Sequence, residues 1–143
     1  MKYTNEIELN LPLNRVIELF DDPENLKHWQ PGLQSFEHIS GTPGQVGAKS
    51  RLKYKMGNRE IEMIETILKR DLPHAFDGTY EAKGVYNIVS NKFIPLGPNK
   101  TKWVAENEFR FSGFMKLMGW LMPGAFKKQS QKYLEQFKAF AES

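Results

Sequence analysis

The chain has 143 residues, 40% of them apolar and 26% charged, the balance of one compact domain (1–143) able to bury a core rather than of a disordered or fibrous chain. It contains no cysteine, which removes disulfides, thiol nucleophiles and Cys-based metal centres from consideration. A net charge of +3 is too small to mark a nucleic-acid binder, the charged opening residues hold no apolar signal core, and no window reaches the roughly 20 apolar residues of a membrane span, so a cytoplasmic location is expected. Residues 3–11 alternate, with Tyr3, Ile7, Leu9 and Leu11 on one face and Thr4, Glu6, Glu8 and Asn10 on the other, as a half-buried strand does. Pro12 ends it and opens a short helix whose Leu13, Val16, Ile17 and Phe20 recur at helical spacing. Asp21-Asp22-Pro23-Glu24 then caps a second short helix that reaches Trp29 before Pro31-Gly32.

Six further strands are expected at about 33–40, 46–56, 59–71, 75–82, 85–95 and 101–111, each bounded by Gly, Pro or Asn. A two-residue Gly57-Asn58 turn sets Lys55 against Glu60 and Lys53 against Glu62 on one face. On the other face it sets Tyr54 against Ile61 and Leu52 against Met63, so that unlike charges meet and apolar groups meet. The Lys83-Gly84 turn likewise pairs Tyr80 with Asn87, Gly78 with Val89 and Phe76 with Asn91. In the last strand Trp103, Ala105, Phe109 and Phe111 share a face. The C-terminal stretch is helical in two unlike parts. Residues 114–122 are apolar on every side, Pro123-Gly124 interrupts, and Phe126, Tyr133, Leu134, Phe137, Phe140 and Ala141 then form one stripe opposite a lysine-rich face.

Strand, two short helices, six antiparallel strands and a long C-terminal helix resemble the START-like or Bet v 1-like (SRPBCC) superfamily over essentially the whole chain. Asp22-Pro23-Glu24-Asn25 through Trp29, Pro31-Gly32, Gly41 to Gly47, Arg59 to Leu72-Pro73, and Phe111-Ser112-Gly113-Phe114-Met115 into Ala125 to Ser130 add to that likeness. They are similar to bacterial members of its polyketide cyclase/dehydrase and lipid-transport branch. The resemblance implies an α+β helix-grip fold, a seven-stranded antiparallel sheet curved around the long C-terminal helix, with the two short helices between strands 1 and 2. It also implies an apolar cavity for lipids, sterols or aromatic polyketides; no cofactor is expected.

With such a cavity, the inward face comprises Ser50, Leu52, Tyr54, Met56, Ile61, Met63, Glu65, Ile67, Phe76, Gly78, Tyr80, Asn87, Val89, Asn91, Phe93, Trp103, Ala105, Asn107 and Phe109. Extending the hairpin register places Ser50 opposite Glu65, and a four-residue loop at Asp71–His74 places Glu65 opposite Tyr80, which faces Asn87. The expected ligand wall is therefore Ser50, Leu52, Tyr54, Met63, Glu65, Tyr80, Asn87, Val89, Asn91, Trp103, Asn107 and Phe109, joined from the helical side by Met122, Phe126 and Ser130. The polar row has three readings: mutual satisfaction with ordered water, orientation of a greasy ligand, or acid/base work by Glu65 or Tyr80.

Other motifs carry less. Gly41 to Gly47 lacks the Gly-Lys-Ser/Thr ending of a phosphate loop, and His28, His38 and His74 lie in different elements without metal spacing, so no metal is expected. Lys49, Arg51, Lys53 and Lys55 face outward toward Glu60 and Glu62, which fits a solvated surface better than a nucleic-acid site. Segment 114–122, rich in Met and carrying Trp120, fits a lid over the cavity, transient contact with a membrane surface, core packing or a homodimer contact.

Overall fold

The computed structural model describes residues 1–143. Its elements run β1 (Lys2–Leu9), α1 (Leu13–Phe20), a 3-10 turn (Pro23–Asn25), α2 (Leu26–Trp29), β2 (Leu33–Ser40), β3 (Lys49–Met56), β4 (Arg59–Asp71), β5 (Ala75–Ala82), β6 (Val85–Gly97), β7 (Lys100–Phe111), α3 (Phe114–Leu121) and α4 (Pro123–Ala141). The seven strands form one antiparallel sheet in the order β1-β7-β6-β5-β4-β3-β2. Because β1 and β2 follow each other in the chain yet lie at opposite edges, the helical connection between them has to cross one end of the sheet. That crossing closes the end, while α4 lies along the concave face. This is the expected helix-grip arrangement.

The buried cluster sits under the crossing. Leu9, Val16, Leu19, Trp29, Phe93, Trp103, Ala105, Leu134 and Phe137 form it, with Phe20, Tyr133 and Phe140 packed against them. Helical spacing explains the choice: Val16 and Leu19 are the buried side of α1, and Leu134 and Phe137 are the buried side of α4. Polar bonds hold α4 against the β1 edge. Tyr3 Oη donates to the Phe126 carbonyl at 3.1 Å and shares a 2.7 Å hydrogen bond with Ser130 Oγ. Asn5 Nδ2 donates to Gln131 Oε1 at 2.8 Å, and Lys138 Nζ donates to the Glu8 carbonyl at 2.7 Å.

Three boundaries differ from the spacing-based expectation by two residues or more. Strand β1 stops at Leu9 rather than Leu11, because the Asn10 N–H goes to Glu142 Oε1 at 3.0 Å and the Leu11 carbonyl accepts from Thr101 Oγ1 at 2.9 Å, which takes both out of the ladder. Strand β3 starts at Lys49 rather than 46, after left-handed turns at Gly44 (φ 78) and Gly47 (φ 88). Strand β6 continues to Gly97, two residues past 95.

Register carries the functional argument. Lys55 pairs with Glu60, Lys53 with Glu62, Tyr54 with Ile61 and Leu52 with Met63, as the Gly57-Asn58 turn requires. On the outer face Arg51 bridges Glu37 at 3.1 Å and Glu62 at 2.6 Å, so this basic row is partly neutralised within the sheet. Between β4 and β5 the expected alignment holds by a different route. Asp71 pairs with Ala75, leaving a loop of Leu72, Pro73 and His74, one residue shorter than expected, and a bulge at Leu68 restores the offset so that Glu65 still meets Tyr80. A bulge also reverses which face the following residues present. Arg70 is thereby turned inward, above the Phe76 ring at 5.9 Å, and donates two hydrogen bonds to the Asp21 carboxylate at 2.7 and 2.6 Å. That fork ties the end of α1 to the sheet.

Candidate functional site

Between the concave sheet and α4 lies a cavity of about 480 Å³, partly open to solvent. Such a volume falls within the range of small-molecule sites. Thirteen of the fifteen residues expected at a ligand wall line it: Ser50, Tyr54, Met63, Glu65, Tyr80, Asn87, Val89, Asn91, Trp103, Asn107, Phe109, Phe126 and Ser130. Two do not. Leu52 faces inward but is fully covered, part of the floor rather than of the wall. Met122 caps the end of α3 with its side chain half exposed on the outside, because the break before Pro123 turns it away from the interior. Of the wider inward set, Gly78 and Phe93 are also absent from the wall, Phe93 being used in the buried cluster.

The polar row crosses four strands as a continuous line of partners: Ser50 with Glu65, Glu65 with Tyr80, and Tyr80 with Asn87. Its members differ in how far the protein already satisfies them. Asn87 Nδ2 donates to the Glu108 carbonyl at 3.1 Å and to Asn107 Oδ1 at 3.3 Å. Asn91 is used twice, accepting from Trp103 Nε1 at 3.0 Å and donating to the Phe76 carbonyl at 3.2 Å. Ser130 is bound to Tyr3. Glu65 has no cationic partner. Burial pushes its carboxyl above the ordinary value of 4.5, and the Tyr80 hydroxyl beside it acts in the opposite direction. Burial likewise raises Tyr80 well above the usual phenol range, and the neighbouring Glu65 charge raises it further. Both side chains are nonetheless only half-buried by surface area, since the cavity itself exposes them. They combine a low-dielectric setting with access for a guest.

The structure adds wall residues to the expected set, beginning with Gln30, the partner of the expected Tyr54. Tyr54 Oη donates to Gln30 Oε1 at 2.6 Å, and burial followed by the nearby Tyr133 and Glu65 raises its phenol far above the ordinary range. Tyr133 comes from α4, where burial raises its phenol as well. Trp29 and Gln30 from α2, Asp21 from the end of α1 and Met115 from α3 complete the surround. Tyr133 belonged to the apolar stripe, so its hydroxyl was the available signal. Asp21 read as part of a helix cap, and only the Leu68 bulge shows what faces it.

The C-terminal stretch divides as the proline implies, into α3 and α4 with Met122 between them. Helix α3 is inverted for a helix on a protein surface. Its covered side is Met115, Met118 and the small Gly119, against which the Phe111 ring lies so close that a Cβ would sit 2.5 Å from it. Its outer side carries Phe114 (73% exposed), Leu117, Trp120 (77% exposed) and Leu121. No helix is long and apolar enough to cross a membrane.

Comparison with known proteins bears on this site. Residues 1–142 match the model of a family described as "Polyketide cyclase / dehydrase and lipid transport". A START superfamily protein from Mycobacterium smegmatis superposes with a TM-score of 0.83 at 11% identity, covering 99% of this chain and 97% of that one. The ZhuI aromatase/cyclase from Streptomyces gives 0.81 at 13% identity, covering 99% and 93%. Norcoclaurine synthase from Thalictrum flavum, solved with dopamine and hydroxybenzaldehyde, gives 0.70 at 18% identity, covering 98% and 85%. At these identities the structural likenesses establish the fold alone. Curated protein sequences yield no match.

Proposed function

The chain belongs to the polyketide cyclase/dehydrase and lipid transport family, and from that premise we propose that it binds a small, largely apolar molecule, aromatic or lipid-like, in the cavity between sheet and α4. The observation that carries this reading is the division of labour around the wall. Apolar and aromatic side chains supply most of the surface, and the row Ser50, Glu65, Tyr80 and Asn87 runs a line of polar groups across four strands at one level of the sheet. A hydrophobic wall with a few convergent polar groups orients a guest while burial of its body provides affinity. Native mass spectrometry tests it, with naphthyl-ethanol as the probe and Val89→Phe as the variant that fills the space. A one-to-one adduct that Val89→Phe removes supports the reading. No adduct, or one that Val89→Phe leaves intact, overturns it.

Glu65 favours a catalytic second reading within the same cavity. A carboxyl raised by burial and set beside a phenol is suited to proton transfer in a cyclase or dehydratase, with Ser50 or Asn87 placing an oxygen of the substrate. Glu65→Gln separates the two: binding of the uncharged naphthyl-ethanol survives in both cases, and turnover falls only in an enzyme.

The outward apolar side of α3 favours a further role, contact with an anionic membrane surface. Phe114, Leu117, Trp120 and Leu121 form the apolar arc, and residues 111–134 contain Lys116, Lys127, Lys128 and Lys132 with no acidic residue. Apolar area flanked by unpaired lysines matches the chemistry of such a surface. Sedimentation with vesicles containing phosphatidylserine is expected to pull down the chain, and Trp120→Ser to release it. Equal sedimentation of both proteins overturns this role.

A further inference from the structure

The cavity is electrostatically one-sided. The chain carries 20 lysines and arginines against 17 acidic residues, yet none of the lysines or arginines lines the cavity. Its ionisable wall groups are Asp21, Glu65, His38 and the tyrosines. Asp21 is already neutralised, because the Arg70 fork grips both of its oxygens at 2.7 and 2.6 Å from outside the wall. His38 is exposed on β2, its Nε2 engaged with the Gly41 carbonyl at 2.7 Å, and it is separated from Glu65 by Ser50 in the row of strand partners. Glu65 is thus the one wall carboxylate without a cation of the protein's own.

Its surroundings are phenolic. Tyr80 is its partner on β5 and Tyr54 lies within electrostatic reach from β3. Tyr133 lines the same cavity from α4. A carboxylate at such a place is costly while it stands alone, and two events relieve it: uptake of a proton, or arrival of a positive charge with the guest. Phenol rings attract an ammonium group through their faces and phenol oxygens accept its N–H bonds, so the second event suits this wall. An anionic guest meets the reverse, a like charge and no basic side chain to receive it.

We propose that the guest is an amine with an aromatic or aliphatic body, its ammonium group paired with Glu65 among Tyr54, Tyr80 and Tyr133. This rests on the cavity being the binding site, as argued above. No covalent bond changes: the ammonium keeps its protons, and any proton held by Glu65 before binding leaves for solvent.

Naphthyl-ethylamine, naphthyl-ethanol and naphthylacetic acid share one body and differ only in headgroup, so calorimetric titration of the three isolates charge. The amine is expected to bind at least about tenfold more tightly than the alcohol, with the acid weakest. Glu65→Gln, or Glu65→Met as a second variant, brings the amine down to the level of the alcohol, so that the ratio of the two affinities falls to about one. Equal affinity for amine and alcohol, tightest binding by the acid, or an amine preference that survives both substitutions overturns the assignment. If the alcohol binds and the amine gains nothing, only this charge assignment falls; if none of the three binds, the binding-site reading falls with it.

Discussion

The two ends of the interior are built from the same sheet and the same helix, yet one is solid and the other hollow. At the solid end, Phe137 meets Trp29, Trp103 and Phe20 with ring centroids 5.2 to 6.2 Å apart, and α1 and α2 fill what α4 leaves open. At the hollow end nothing equivalent to α1 and α2 enters the concave face, and the sheet stands off from Phe126, Ser130 and Tyr133 of α4. The difference teaches where stability and function reside. Tight aromatic packing at one end gives the sheet a fixed curvature, and that curvature holds the other end open against collapse.

Four substitutions break or sharpen this contrast. The largest effect belongs to Phe137→Ala, which leaves a void in the fully buried cluster and is expected to cost about 3–5 kcal/mol in a denaturant titration. Adding volume at the same end comes next: Val16→Phe has no space to enter and is expected to cost about 1–3 kcal/mol. Glu65→Gln follows, and its effect depends on pH. The folded-state carboxyl lies above its ordinary value of 4.5, so the native chain holds that proton more tightly than the unfolded one. Its stabilising contribution is full below 4.5 and is lost as pH rises through the raised value. Thermal melts are therefore expected to show parent and Glu65→Gln alike in acid, with the variant ahead at neutral pH; a gap that opens in acid instead would falsify the burial argument. The smallest effect is Val89→Phe, which adds bulk at the hollow end and is expected to change stability by less than about 1 kcal/mol, while it occupies the space a guest needs. A cost equal to that of Val16→Phe would show that the two ends do not differ.

Much of this was legible because strands obey a period of two. The Gly57-Asn58 turn determines Ser50 opposite Glu65, and the Lys83-Gly84 turn determines Tyr80 opposite Asn87, each from local chemistry. The link between them was not local. A four-residue loop predicts the observed partner of Glu65, but the chain reaches it with a shorter loop and the Leu68 bulge, and the bulge is what delivers Arg70 to Asp21. Nothing in the strand pattern marks Leu68 as extra. Asn5 shows the opposite case. It sits on the inward face of β1 and is buried, yet alternation by hydrophobicity passes over an amide whose partner, Gln131, is 126 positions away.

Alternation, turn residues and helical spacing are properties of neighbouring residues, and they alone determined the order of elements, the faces of the strands and the row of polar side chains. Whether those faces enclose a hollow was decided by the tertiary structure. Cavity volume is the small difference between the space under a curved sheet and the side chains that fill it. That difference depends on where the helical crossing from β1 to β2 packs, on Leu52 sinking into the floor, and on Met122 turning outward. It is a sum over distant contacts, which no local period encodes.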